Sequence, residues 1–301
     1  MINYPVYTLD KQLLLPAGTV LSKAILQDLV SSNRPASYQT LPFLEYGTVK
    51  TDLLHQIRRS PFDLIFSTQE EITEVMSVLN TIHLVIPVLQ SLDYFKKNDY
   101  HTYCHALMVL ALSVVVAKDV LPDYPEQMRQ ASIGPTHDIG KICVPLHILR
   151  KTTHLTPAEK SIIDHHAIAG YVLLSYFYKD PENMAAIVAK EHHERMDGSG
   201  YPLGIHLTDR MVEITVACDV YDALISPRSY RRVSYDNRTA LEEITTMAEM
   251  NKIGWEVVKS LVARNRKRKL KAAEVIVSRE KRGTPPSRNY HGVTKETDSG
   301  S

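Results

Sequence analysis

The spacing of apolar residues changes character once along the 301-residue chain. Over residues 1 to about 66 it is mixed. Short alternating segments such as Pro5-Val6-Tyr7-Thr8-Leu9 suit β-strands, and one helical stretch follows. That stretch takes Ser22 as its N-cap and runs to Ser31 or Ser32, with Ile25, Leu26 and Leu29 on one face. The first 66 residues therefore read as a small α/β module. From Ser67 the period is helical. Ser67-Thr68-Gln69-Glu70 sets a hydroxyl at a cap and a carboxylate three residues on. Ile72, Val75, Met76, Leu79, Ile82 and Val85 follow at helical spacing, so one long connecting helix is predicted, kinked at Pro87 and ending near Lys97. From Asp99 to about Arg264 the pattern is helical almost throughout. Its longest apolar run, Leu107 to Ala117, falls short of the ~20 residues that a spanning helix needs and reads as a core helix. The predicted organisation is a small regulatory or sensory module over 1–66, a connecting helix over 67–98, a helical domain over 99–265 and a basic, disordered tail over 266–301. The last ~20 residues carry too little apolar surface to offset the entropy of ordering them.

Composition narrows this picture only slightly. A hydrophobic fraction of 44% and a charged fraction of 23% supply an ordinary globular core. The net charge of +1 selects no partner. From Ser260 onward eleven Lys or Arg face four Asp or Glu, and the run Arg266-Lys267-Arg268-Lys269 is read as a solvated helix end. Neither DNA binding nor membrane insertion is expected. Cys104, Cys143 and Cys218 form no CxxC pair and no disulfide framework, which suits a reducing compartment. No charged segment and apolar core resembling a signal peptide opens the chain. A cytoplasmic location is expected.

Histidine placement changes the picture most. Ten of the 13 histidines lie between His101 and His206, interleaved with acids on helical segments. Neutral imidazole and carboxylate together suit divalent Fe, Mn, Zn or Ni. His105 precedes the apolar run. His137-Asp138 sits in His137-Asp138-Ile139-Gly140-Lys141, and His165-His166 and His192-His193 are two further pairs. Asp219 falls in Asp219-Val220-Tyr221-Asp222-Ala223-Leu224. A carboxylate such as Asp138 can bridge two cations while neutral histidines fill other positions. Such a pair can activate a water and clamp the oxygens of a phosphodiester. Cys104 and Cys218 adjoin two of these residues and read as small apolar filler.

These motifs, with His192-His193-Glu194-Arg195, Asp197-Gly198-Ser199-Gly200-Tyr201-Pro202 and Ser226-Pro227-Arg228-Ser229-Tyr230-Arg231, resemble an HD-GYP domain, a branch of the HD phosphohydrolases, over roughly residues 99 to 265. The fold class is then mainly α, an all-helical HD-type metal-binding domain behind a small N-terminal α/β module. The resemblance implies hydrolysis of cyclic di-GMP to linear pGpG or GMP, with two or three divalent ions, iron or manganese. By position, His105, His137, Asp138 and Asp219 would hold one ion. Asp138 would bridge to a second, held by His166, His192 and His193. His166 is preferred to His165 because His166-Ala167-Ile168-Ala169-Gly170 matches the family's His-x-x-x-Gly. Members with a third ion carry an acid four residues before the first histidine, where this chain has His101. Lys141 would face the scissile phosphate, and Arg228, Arg231 and Tyr201 would bind substrate. Residues 197 to 202 would shape the loop beside the site, with Gly200 supplying a backbone geometry that other residues resist. Partners admitted by this reading are cyclic di-GMP, a GGDEF-domain protein and a second copy of the chain in a homodimer.

Two departures from the family pattern bear on activity. Gly134-Pro135-Thr136 stands where relatives have leucines on a continuous helix. Because proline disfavours a helix interior, the helix carrying His137 should begin or bend at Pro135. The loop after Pro202 lacks the usual second Gly and Ile-Pro and is about two residues short. These features suit a rival reading, a degenerate module that binds cyclic di-GMP or a diguanylate cyclase without turnover. A third reading is hydrolysis of a related nucleotide such as cyclic GMP-AMP.

Overall fold

The computed structural model describes residues 2–33, 38–228, 231, 233–266 and 270–286. Strands β1 (Val6–Tyr7) and β2 (Leu13–Leu15) form an antiparallel pair, followed by α1 (Lys23–Ser32). Ser22 caps α1 by accepting from the Ile25 amide, as its position and side chain predict. Strand β3 (Thr40–Pro42) and helix α2 (Val49–Ile57) complete the N-terminal third.

Residues 67–98 form two helices with a strand between them, in place of the one kinked connecting helix. Helix α3 (Gln69–Leu79) ends before strand β4 (His83–Val85), and α4 (Ile86–Asn98) follows. The capping box is Thr68 with Glu71, one residue on from the predicted Ser67 and Glu70. Pro87 lies in the first turn of α4, where its missing amide hydrogen costs little. Strand β4 pairs antiparallel with β3, Leu84 opposite Leu41, so the module expected over 1–66 takes a strand from beyond that boundary.

Helix α5 (Tyr100–Val120) is the core element: Ala106 through Ala117 are all buried. It is the one helix among the described residues long and apolar enough to span a membrane, and 78% of its most apolar window is buried inside the protein. Against it pack α6 (Tyr124–Ala131), α7 (Ile133–His137), α12 (Arg210–Ile225) and α14 (Trp255–Arg264). Helices α10 (His166–Tyr178) and α11 (Met184–Glu191) pack on each other and on α7, and α13 (Asn237–Glu249) packs on α12 and α14. Short α8 (Leu146–Leu149) and α9 (Pro157–Asp164) lie between α7 and α10 in the chain. One connected apolar core runs from Ile2 to Leu261. The N-terminal third is thus built onto the helical body. Asp52 on α2 accepts from Lys96 and from the Tyr103 hydroxyl, at 2.6 Å each, and the Asn33 amide donates to the Tyr176 carbonyl at 2.6 Å.

The chain breaks at Ser132, whose φ is 44°, and α7 starts at Ile133. Pro135 therefore occupies the first turn of a new helix, the less disruptive of the two outcomes its chemistry allows. The Thr136 hydroxyl donates to the Ser132 carbonyl at 2.8 Å and tightens this start. Lys267–Lys269 and everything from Ser287 on lie outside the described residues, so the predicted basic run and disordered tail fall mostly beyond them.

Candidate metal centre

His105 projects from α5, His137 ends α7, and Asp138 opens the 3-10 turn Ile139–Cys143. Close backbone approach brings that turn to its place. A Cβ on Gly140 would lie 1.9 Å from the His166 carbonyl oxygen, so only glycine lets the turn rest on the start of α10. Docked this way, Asp138 faces the histidines of both sides. Its Oδ2 lies 3.4 Å from His137 Nε2 and 3.6 Å from His105 Nε2. Its Oδ1 lies 3.3 Å from His166 Nε2 and 4.0 Å from His192 Nε2. One carboxylate thus presents one oxygen to each of two donor groups, His105/His137/Asp138 and His166/His192/His193. Asp219, on α12, joins the first group with Oδ1 3.0 Å from His105 Nε2.

Hydrogen bonding at the far ring atoms reveals what the near ones offer. His166 Nδ1 lies 2.6 Å from the Ile163 carbonyl, and His192 Nδ1 lies 2.9 Å from the Ala189 carbonyl. A carbonyl only accepts, so both Nδ1 atoms carry the proton. Burial pushes the His192 pKa down to about 3 and also lowers His166, so both rings are neutral. Their bare Nε2 lone pairs then face each other at 3.2 Å, with His193 Nε2 3.1 Å from that of His166. Acceptors crowded like this repel unless a cation lies between them. Donor edges of about 3.0–3.4 Å are what ~2.1 Å bonds to a four- to six-coordinate ion require. The residues fit a metal.

The carboxylates behave correspondingly. Burial alone would raise Asp138, but the Lys141 ammonium and the His137 imidazole outweigh it and hold the group well below the usual range. Asp219 is likewise held low against burial, chiefly by its hydrogen bond to His105. Burial and the Arg228 guanidinium oppose charge on His105, yet Asp219 and Asp222 prevail and raise its pKa. A ring that attracts a proton between carboxylates there would equally accept a divalent ion.

Each residue singled out from the sequence now has a place. Lys141 Nζ donates to Asp138 Oδ2 at 2.6 Å. Tyr201 stacks on His193, centroids 4.5 Å apart, beneath the Lys160 ammonium. Arg228 lies 3.5 Å from Asp222 and lines a cavity beside His105. His101 is exposed and joins neither donor group; it lines the same cavity. Arg231 corrects its expected substrate contact. It is buried, and its guanidinium donates to the Ala223 carbonyl and to those of Leu224 at 2.7 Å and Ser226 at 3.2 Å, closing the end of α12. Gly200 differs from its expected role too. Its backbone is not left-handed; it is glycine because a Cβ would meet the His193 carbonyl at 2.4 Å.

Two residues of the site were not singled out. Asp222 is fully buried, and its Oδ2 accepts a hydrogen bond from His105 Nδ1 at 2.6 Å, orienting the ring. Its place three residues after Asp219 was the available signal, since both then share a helix face. Glu194 is also fully buried and accepts from the amides of Leu203 at 2.7 Å and Gly204 at 3.2 Å. It ties down the start of the loop that follows Pro202.

Comparison with known proteins agrees with this geometry. Residues 86–257 match the HD domain family. The chain is 37% identical over 170 residues to a cyclic di-GMP phosphodiesterase of Pseudomonas aeruginosa, covering 54% of this chain and 39% of that protein. It is 31% identical over 184 residues to a cyclic di-GMP phosphodiesterase of Thermotoga maritima, covering 60% and 49%. A 3'3'-cGAMP-specific phosphodiesterase of Vibrio cholerae is 30% identical over 179 residues, covering 59% and 38%. The chain spans less than half the length of each of these relatives. The family match takes in more than half of the chain and every donor of both groups, and the chain belongs to the HD domain family.

Proposed function

We propose that this protein is a metal-dependent phosphodiesterase that opens cyclic di-GMP. The observation that carries the reading is the position of Asp138, with one carboxylate oxygen toward each of two donor groups. His105, His137, Asp138 and Asp219 would hold one ion, and His166, His192 and His193, with Asp138, a second; iron or manganese suits these donors. When bound, the ions supply Lewis acidity that lowers the pKa of a water and offsets charge on phosphodiester oxygens. The chain's own residues do the rest. Asp222 fixes the His105 ring, and the carbonyls of Ile163 and Ala189 fix those of His166 and His192. Lys141, held against Asp138, would offer its ammonium to the scissile phosphate. Arg228, beside His105, offers its guanidinium to the same ligand. Tyr201 covers the second group, and burial together with nearby carboxylates keeps its phenol protonated.

The relatives' names support a cyclic dinucleotide as substrate. A binding-only module is not favoured, because the break at Ser132 leaves Pro135 in a first turn and the donors converge. The test is product analysis by anion-exchange chromatography after anaerobic purification with iron or manganese. Conversion of cyclic di-GMP to pGpG or GMP is expected. Intact cyclic di-GMP after prolonged incubation with fully metallated protein would reject the proposal.

A further inference from the structure

A cavity lies beside the metal centre, and two of the residues lining it come from outside the matched domain. It measures about 200 Å³, has His105 in its wall and is lined by Arg228, His101, Gln56 and Arg59. No Asp or Glu is among its lining residues, so the charged side chains in an otherwise largely apolar wall, Arg59 and Arg228, are both cationic. Gln56 and Arg59 precede residue 86, where the family match begins. Their position is nonetheless firm. Helix α2 buries Leu53 and Ile57 against the core, and the bonds from Asp52 to Lys96 and Tyr103 pin it to α4 and α5. The Gln56 amide lies 3.3 Å from Cys104 Sγ on α5. The Arg59 carbonyl accepts from the Phe62 amide at 2.8 Å, which fixes the backbone under its side chain. The side chain itself is exposed and, among the described residues, makes no ion pair. A guanidinium on a fixed backbone, turned to a cavity without carboxylates, is a ready partner for an anion.

Resting on the proposed reaction, we infer that Arg59 binds the second phosphodiester of a cyclic dinucleotide while the first is cleaved at the Asp138 centre. The ring of such a substrate carries two phosphodiesters, one negative charge on each, and holds them a fixed distance apart. Only one can occupy the metal centre. The other needs a cationic place nearby, and this cavity shares His105 and Arg228 with the centre. Its volume is below the ~300–1,000 Å³ of sites that enclose a whole drug-sized ligand, as befits a subsite for one group. The N-terminal third is then part of the substrate site and not solely a sensor.

The test compares wild type with Arg59→Ala and Arg59→Lys in the full, metal-loaded chain. Two substrates are used: cyclic di-GMP, and bis(p-nitrophenyl) phosphate, which has one phosphodiester. Binding of cyclic di-GMP is measured by calorimetry in parallel. Arg59→Ala should lower kcat/KM for cyclic di-GMP by roughly 10-fold or more beyond any effect on bis(p-nitrophenyl) phosphate, mostly through KM, as loss of a charged hydrogen bond implies. Arg59→Lys should recover part of it. Cyclic di-AMP should show the same loss, because the contact is to phosphate; a loss confined to cyclic di-GMP would overturn the phosphate assignment in favour of a guanine edge. Equal kcat/KM and affinity in wild type and Arg59→Ala would overturn this inference alone. Wild type that neither binds nor cleaves a cyclic dinucleotide would overturn it together with the proposed reaction.

Discussion

His166 and His192, in one half of the metal centre, are fixed by carbonyls three residues back in their own chain segments. His105, in the other half, is fixed by Asp222, 117 positions away on a different helix. The first half is organised by local helical geometry, the second by the packing of α5 on α12. Damage to packing should therefore empty the His105 group before the His166 group. Asp138 couples the two, since each of its oxygens serves one half.

The largest expected effect removes that coupling. Asp138→Ala should lose most bound metal from both halves and all turnover while the helical circular dichroism persists. A variant that kept a full metal complement and wild-type rate would show that the site is placed wrongly. Next in size is Asp222→Ala, which frees the His105 ring without touching a donor atom. Loss of such an orienting partner costs about 10–100-fold in metal affinity or activity. Metal titration should show one weakened site and one unchanged, whereas equal weakening of both would erase the distinction between the halves.

Arg231→Ala is expected to act on stability. Its guanidinium closes the end of α12, the helix that carries Asp219 and Asp222. Losing hydrogen bonds from a buried charged group should cost about 1.5–3 kcal/mol, read from denaturant unfolding. KM for cyclic di-GMP should hardly move, in contrast to Arg228→Ala. The smallest effect is expected for Pro135→Leu. A proline in a first helical turn costs little, so turnover should stay within about threefold of wild type. A gain of ~100-fold would instead mean that the natural chain holds His137 and Asp138 about 1 Å out of place.

The difference between the halves also explains what could be read from the sequence. His105, His137, Asp138, His166, His192, His193 and Asp219 stand out because metal donors are rare residue types at characteristic spacings, and all seven converge. The helix after Ser22 was legible because its cap and its apolar face agree. Asp222 was not legible as a partner of His105, since nothing local records how α5 and α12 lie together. Arg231 was misread for a related reason: the turn after α12 decides where its side chain points, back to that helix's own carbonyls. Residues 67 to 98 look like one helix because Ile82 and Val85 continue the helical period of α3. They belong to the segment around β4, and only the partner strand β3, some 40 residues earlier, makes it a strand.

The account stands or falls on two ions sharing Asp138. The most direct measurement is the number of metal ions per chain, by inductively coupled plasma mass spectrometry, in one anaerobic preparation assayed with cyclic di-GMP before and after chelation. At least two ions per chain are predicted, with hydrolysis lost on chelation and restored by adding metal. Full hydrolysis with one ion per chain or none would contradict it.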